Sequence, residues 1–297
     1  MMQELISCNI CPHNCEINRL NGEVGRCKAT DKVKVALASI HNFEEPCISG
    51  EKGSGTVFFS NCNLRCIFCQ NYKISQLGLG KEISIEELAD IFIDEQNKNV
   101  ENINLVTPTM YVYQIIEAIK IARSKGLYIP IVYNSNGYEN VETIKKLKGY
   151  IDIYLPDLKY SNDKISYKYS GIKHYFESAT AAIKEMYNQV GNPVLDENGI
   201  MKKGLIIRHL VLPNNLQNSK DILKWINDNI EKKVFVSIMA QYFPTHKSNQ
   251  FPEINRKLTK EEYEEIEDYL YSLDLDNGYI QELGEHEEEY VPDFEGG

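Results

Sequence analysis

The sequence predicts an α/β fold, a partial (β/α)6 barrel with a small cysteine-rich lobe at its N-terminus. Three observations point there. Short runs of β-branched and aromatic residues alternate with longer amphipathic stretches between residues 55 and 240, a pattern that implies a parallel sheet with right-handed crossovers. Six strand–helix units can be counted, and too little chain follows residue 245 for a barrel of eight. Seven of the eight cysteines fall into two tight groups, one before the first unit and one just after its strand.

The elements follow in order. Gly55-Thr-Val-Phe-Phe-Ser60 opens with glycine and reads as a short buried strand. Residues 83–98 form an amphipathic helix, with Ser84 as cap and Glu86 and Glu87 in the first turn. Strands are expected at 102–106, 129–133, 151–155, 204–212 and 234–240. Helices are expected at 113–125, closed by Gly126, at 141–148, as one long stretch over 163–188, and at 219–230. Residues 191–204 read as an inserted hairpin with an Asn-Gly turn. A last helix covers 259–272, its acidic run 261–268 a solvated face. The expected organisation is a lobe at 1–50 packed on the barrel, the barrel at 51–245, and a helix and tail at 246–297 covering it.

Composition narrows the function. Net charge is −11, and residues 282–297 alone hold seven acids with no Lys or Arg. No basic stripe stands out, which argues against a nucleic-acid partner. No apolar run approaches a membrane span and no signal peptide is visible, so no membrane association and a cytoplasmic location are expected. Eight cysteines in such a chain do not suggest a disulfide framework.

Cys62, Cys66 and Cys69 have the spacing C-x3-C-x2-C at the C-terminal end of the first strand, where barrel enzymes carry catalytic loops. A [4Fe–4S] cube normally takes four thiolates. Three leave one iron open to chelate S-adenosylmethionine (SAM) and pass an electron to its sulfonium. A zinc site would favour paired C-x2-C knuckles. Phe68 can stack on an adenine or simply pack beneath the loop. Cys8, Cys11, Cys15 and Cys27 (C-x2-C-x3-C-x11-C) can close a second metal site, with glycines and asparagines letting the chain wrap round it. Either zinc or a second iron–sulfur cluster suits four thiolates. His13 is surplus to that set and reads as a surface residue; Cys47 reads as a buried small hydrophobe.

Several stretches extend the pattern beyond the cysteines: Gly50-Glu-Lys-Gly-Ser-Gly-Thr56, Cys69-Gln-Asn-Tyr-Lys-Ile-Ser75, Arg208-His-Leu-Val-Leu-Pro213, Gly278-Tyr-Ile-Gln281 and Tyr290-Val-Pro-Asp-Phe294. With them the chain resembles a radical SAM enzyme, of the branch similar to pyruvate formate-lyase activating enzymes. The resemblance implies a partial TIM barrel of the radical SAM type, a [4Fe–4S] cluster, SAM, and an electron donor such as flavodoxin or ferredoxin. It also implies a glycyl radical enzyme as a partner to be activated.

Strand C-termini supply the remaining candidates. Thr107-Pro-Thr109 stands where radical SAM enzymes usually carry Gly-Gly-Glu, so Thr107 and Thr109 are candidates for the SAM ammonium. Asn134-Ser135-Asn136 resembles the segment that contacts the SAM ribose and carboxylate, and its short neutral side chains suit hydroxyls. Asp157 and Lys159 resemble an Asp-x-Lys that helps to hold SAM. Arg208 is a candidate for the SAM carboxylate; His209, Gln241 and Tyr242 are candidates for substrate contact. Adjacent strand residues point to opposite faces, so at most one of Arg208 and His209 enters the barrel. Three functions fit: an activase with an open cleft; an enzyme acting on a small molecule or peptide, its mouth covered by residues 278–294 with Tyr279, Tyr290 and Phe294; or a non-catalytic iron–sulfur redox sensor.

Overall fold

The computed structural model describes residues 2–284 and 292–294. Among them, ten strands are found: β1 (Val33–His41), β2 (Ser54–Phe59), β3 (Lys81–Ile83), β4 (Ile103–Val106), β5 (Ile131–Ser135), β6 (Ile153–Pro156), β7 (Val194–Leu195), β8 (Met201–Leu210), β9 (Phe235–Met239) and β10 (Gly278–Ile280). The sheet order is β10-β9-β8-β6-β5-β4-β2-β1-β3, with β7 paired to β8. From β2 to β10 along this path every pairing is parallel. The six strands expected from the sequence are all there, and the chain after the sixth adds a short seventh, β10.

Helices pack on the outer face. The helix Tyr175–Val190 buries Tyr175, Ala179, Ala182, Ile183 and Met186, one face at helical spacing. Full burial of each large side chain is worth about 1.5–3 kcal/mol. Ser84 and Thr259 cap the helices Ile85–Asn97 and Lys260–Ser272, each in a reciprocal box with the Glu three residues on. No helix among the described residues is long and apolar enough to cross a membrane.

Three features differ from the sequence expectation. The long helix at 163–188 is two helices, Asp163–Ser170 and Tyr175–Val190. Gly171 ends the first in the left-handed region at φ 63°, and His174 follows at φ 55°. Residues 33–41, placed by the sequence in the N-terminal lobe, form β1, antiparallel to both β2 and β3. The expected hairpin is present as β7 and β8, with Gly199 at φ 77° in its turn, and β8 begins three residues earlier than expected because of it.

Candidate functional site

One cavity of about 530 Å³ opens at the C-terminal ends of the parallel strands. Cys62, Cys66 and Cys69 all line it, with Phe68 beside them. Each sulfur has a polar neighbour. Asn136 Nδ2 donates to Cys62 Sγ at 3.4 Å, Ser170 Oγ donates to Cys66 Sγ at 3.1 Å, and Ser75 Oγ lies 3.2 Å from Cys69 Sγ. The Tyr160 hydroxyl is 3.8 Å from Cys66 Sγ and 2.6 Å from Ser170 Oγ. Donors aimed at sulfur are what tunes an iron–sulfur centre.

Burial pushes the Cys69 thiol up to about 11 and the Cys62 thiol well above its usual range, with the neighbouring Cys66 adding to both. The Cys62 and Cys69 thiolates are therefore costly there without a cation, and metal charge reverses that cost. Among the described residues no three His, Cys, Asp or Glu side chains gather about one point as a single ion requires. A cube bonds each thiolate to a different iron and does not need that gathering. The donor set fits a [4Fe–4S] cluster.

The strand-end residues complete the wall. Asn134, Ser135 and Asn136 all line the cavity. Arg208 does too, and its guanidinium is spoken for: Nε donates to Asp157 Oδ1 at 3.0 Å, Nη1 to Glu44 Oε2 at 3.0 Å and Nη2 to Asn134 Oδ1 at 2.6 Å. Lys159 Nζ sits 2.5 Å from Asp157 Oδ2. Burial opposes ionisation of Asp157, but Lys159 and Arg208 outweigh it and hold the carboxyl below its ordinary range. Thr107 lines the cavity in the left-handed region at φ 59°, costly for a β-branched residue and typical of functional strand ends. Its N–H donates to the Asn134 carbonyl at 2.9 Å. Gln241 lines the cavity, and its carbonyl accepts from Gln70 Nε2 at 2.7 Å.

Three sequence candidates lie elsewhere. Thr109 is buried outside the cavity, its hydroxyl 2.6 Å from Glu139 Oε1; the turn at 109–111 directs it behind β4 and β5, onto a carboxyl that burial raises to about 8. His209 points to the outer face, as alternation with the inward Arg208 requires. Its Nδ1 is 2.7 Å from the Leu158 carbonyl and its Nε2 2.8 Å from Ser219 Oγ. Tyr242 packs edge-on against Phe68, ring centroids 5.8 Å apart, and donates to the Ile254 carbonyl at 2.6 Å. It packs against Phe68 and does not line the cavity.

The His209 site carries a pH prediction. Burial lowers its pKa from 6.5 to about 4. The unfolded chain then binds the extra proton first, so the stability is present above pH 6.5 and is lost as pH falls toward 4, by roughly 3 kcal/mol at most. Denaturant titrations over this range should show that loss, and His209→Gln should flatten it; an unchanged slope in the variant would assign the loss to other groups.

Gly137 marks where the loop after β5 needs glycine. Its φ is 78°, and a Cβ there would sit 2.4 Å from the Asp157 carbonyl oxygen. Gly137→Ala should cost about 2–4 kcal/mol by strain and displacement of the Asp157 backbone, read by denaturation; a cost under 0.5 kcal/mol would show that the loop yields freely.

The sequence missed several members of the site. Glu44 and Glu45 enter the cavity from the loop after β1. His13, expected at the surface, is half-buried with Nε2 2.8 Å from the Asn63 carbonyl, next to Cys62. Arg26 Nη2 donates to the Ser170 carbonyl at 2.9 Å. The N-terminal cysteine run therefore touches the loop of Cys62 and the helix end that holds Cys66. Within that run, a Cβ on Gly25 would lie 2.6 Å from Cys15 Sγ, so only glycine leaves room for that sulfur. At the other side of the cavity, Tyr279, Gln281 and Pro292 line it, and Phe294 meets Phe58 edge-on at 5.5 Å. Tyr290 lies outside the described residues. Cys47 is buried, as expected.

Residues 56–204 match the Radical SAM superfamily. The uncharacterized protein MJ0674 of Methanocaldococcus jannaschii is 34% identical, over 91% of this chain and 76% of its own length. The pyruvate formate-lyase-activating enzyme of Clostridium pasteurianum is 24% identical over 80% of this chain and 99% of its own. The FeFe-hydrogenase maturase HydG from Carboxydothermus hydrogenoformans superposes with a TM-score of 0.52 at 13% identity, over 77% of this chain. This chain spans 53% of that structure's length, and the likeness is one of fold. Three cysteines at one barrel mouth, a parallel partial barrel and these matches agree: the chain belongs to the radical SAM superfamily, a superfamily of enzymes that use a [4Fe–4S] cluster and S-adenosylmethionine.

Proposed function

We propose that this chain cleaves SAM reductively at the Cys62–Cys66–Cys69 site and directs the resulting radical at a small substrate enclosed in the same cavity. When bound and reduced, the cluster supplies the electron that splits SAM into methionine and a 5′-deoxyadenosyl radical able to abstract hydrogen. The observation that carries the reading is the single cavity shared by the three cysteines, the polar ends of β5 and β6, and the C-terminal segment.

The chain's own residues have the following work. Cys62, Cys66 and Cys69 hold the cluster, and Asn136, Ser170 and Ser75 donate toward their sulfurs. Asn134, Ser135 and Asn136 offer neutral hydrogen bonds to SAM hydroxyls, and Thr107 offers a hydroxyl and a carbonyl to its ammonium. Phe68, wedged by Tyr242, offers a ring face to the adenine. Asp157, Lys159 and Arg208 form a fixed charged wall, with the remaining Arg208 N–H groups available to a carboxylate. Gln241, Tyr279, Gln281 and Pro292 narrow the cavity and limit the entry of water. Anaerobic reconstitution with iron and sulfide, followed by SAM and a strong reductant, should yield 5′-deoxyadenosine and methionine in equal amounts. A loaded cluster with SAM bound and neither product formed would favour a redox sensor and overturn the reading.

A second reading, an activase for a glycyl radical enzyme, is supported by the activating-enzyme relative, which aligns over almost its whole length. It requires the segment with Pro292 and Phe294 to open for a protein loop. A flavodoxin or ferredoxin in the cytoplasm would supply the electron in either case. Cys8, Cys11, Cys15 and Cys27 are proposed to bind a second metal, holding His13 and Arg26 against the cluster loop. Metal analysis separates the options: about eight irons per chain would identify a second cluster, and one zinc with about four irons a structural clip whose thiolates draw together only on binding, since they do not gather about one point in this structure. Four irons without zinc, with these thiols free to alkylation, would contradict the second site.

A further inference from the structure

The charges in the cavity do not balance. Register places Asp157, just past the end of β6, beside Arg208 on β8, Ser237 on β9 and Tyr279 on β10, and all four line the cavity. Glu44 and Glu45 reach this row from the loop after β1. Arg208 is bracketed by Asp157 and Glu44, each at 3.0 Å, and Lys159 is paired with Asp157. Three carboxylates thus meet two cations, and the pairs are made without Glu45.

Glu45 is buried, at 8% exposure, and lines the cavity. Ser237, on β9, lines the cavity with it. Glu45 Oε2 has no hydrogen-bond partner among the described residues. A buried carboxylate oxygen without a protein partner is costly, and a ligand, an ion, a proton or an ordered water has to meet it. Burial also pushes the Glu45 carboxyl up, with the Arg208 charge opposing, and a second cation beside it would favour the ionised form. Phe43, Pro46, Phe58 and Met239 give the same cavity apolar surface as well.

We propose that the substrate of this enzyme carries a primary ammonium or guanidinium group, held by Glu45 at the floor of the cavity with its carbon chain against the apolar wall. This rests on the radical SAM reading of the same cavity. The cation completes the charge balance. A neutral or anionic substrate of the same size would leave Oε2 unpaired and bind less well.

The test uses the reconstituted holoenzyme with SAM bound. Agmatine, cadaverine and lysine are titrated by calorimetry and by thermal shift, against 1-pentanol and glutarate as neutral and anionic controls. The expected result is that at least one cationic probe binds and raises the melting midpoint while the controls do not. Glu45→Gln should weaken that binding at least tenfold, and Glu45→Asp, which keeps the charge, should recover part of it; circular dichroism checks that both fold. No cationic probe binding to the wild type, or equal binding to Glu45→Gln, would overturn the proposal. So would a Glu45→Gln protein that loses SAM affinity and keeps cation binding, because Glu45 would then hold the SAM ammonium. The two readings separate cleanly. Formation of 5′-deoxyadenosine without cation binding sinks this inference alone. Cation binding without 5′-deoxyadenosine sinks the radical reading and leaves the cation site standing.

Discussion

Replacing Cys62, Cys66 or Cys69 with alanine is expected to remove the cluster's visible absorbance at this site and lower 5′-deoxyadenosine formation on the order of 10³-fold or more, as for groups on which the chemistry depends. The three sulfurs line one cavity and each has a donor beside it, so none is a spare. Folding should survive. Cys66 is buried, yet Ser170 and Tyr160 remain bonded to each other when its sulfur is gone. Far-ultraviolet circular dichroism and the melting midpoint of the unreconstituted variants should stay near wild type. A folded variant that still makes 5′-deoxyadenosine at a tenth of the wild-type rate would refute the ligand assignment.

The largest stability effect is expected at Arg208. Its side chain is 13% exposed and held among Asp157, Glu44 and Asn134. Removing a buried charge leaves its partners uncompensated, which typically costs about 3–5 kcal/mol. Arg208→Ala should therefore lower the melting midpoint by on the order of 10 °C. Adding Glu44→Gln should recover part of that loss, because it removes one of the stranded carboxylates. A single-variant cost below about 1 kcal/mol would mean that water or a mobile Lys159 compensates in place of the guanidinium.

Much of the barrel was legible because parallel strands covered on both faces read as apolar runs, and the helices between them carry caps and periodic faces. Ser84 and Thr259 were found by their chemistry. The edge elements were not. In β1, alternation is blurred by Ala36, Ala38 and Ser39, and β3 and β10 have three residues each. The helix break at Gly171 was hidden because helical periodicity resumes after four residues; its consequence is that Ser170 reaches Cys66.

The site divides in the same way. Cys62, Cys66 and Cys69 were legible from spacing, and Asn134, Asp157, Lys159 and Arg208 from their position at strand ends. Alternation could have excluded His209 once Arg208 was placed inward. Glu44 and Glu45 lie in a loop before the first barrel strand, and only the fold brings them beneath β8 and β9. His13 and Arg26 could not be read as contacts of the cluster loop, because they meet Asn63 and Ser170 across 50 and 144 residues of chain.

The most direct measurement is the electron paramagnetic resonance spectrum of the dithionite-reduced holoenzyme with and without SAM. If one iron of the Cys62–Cys66–Cys69 cluster is open to SAM, the reduced signal must change shape on adding SAM, and SAM labelled with nitrogen-15 at its amino group must show coupling to the cluster. A reduced signal left unchanged by saturating, demonstrably bound SAM would mean that the cluster and SAM do not meet, and would contradict radical SAM chemistry in this cavity.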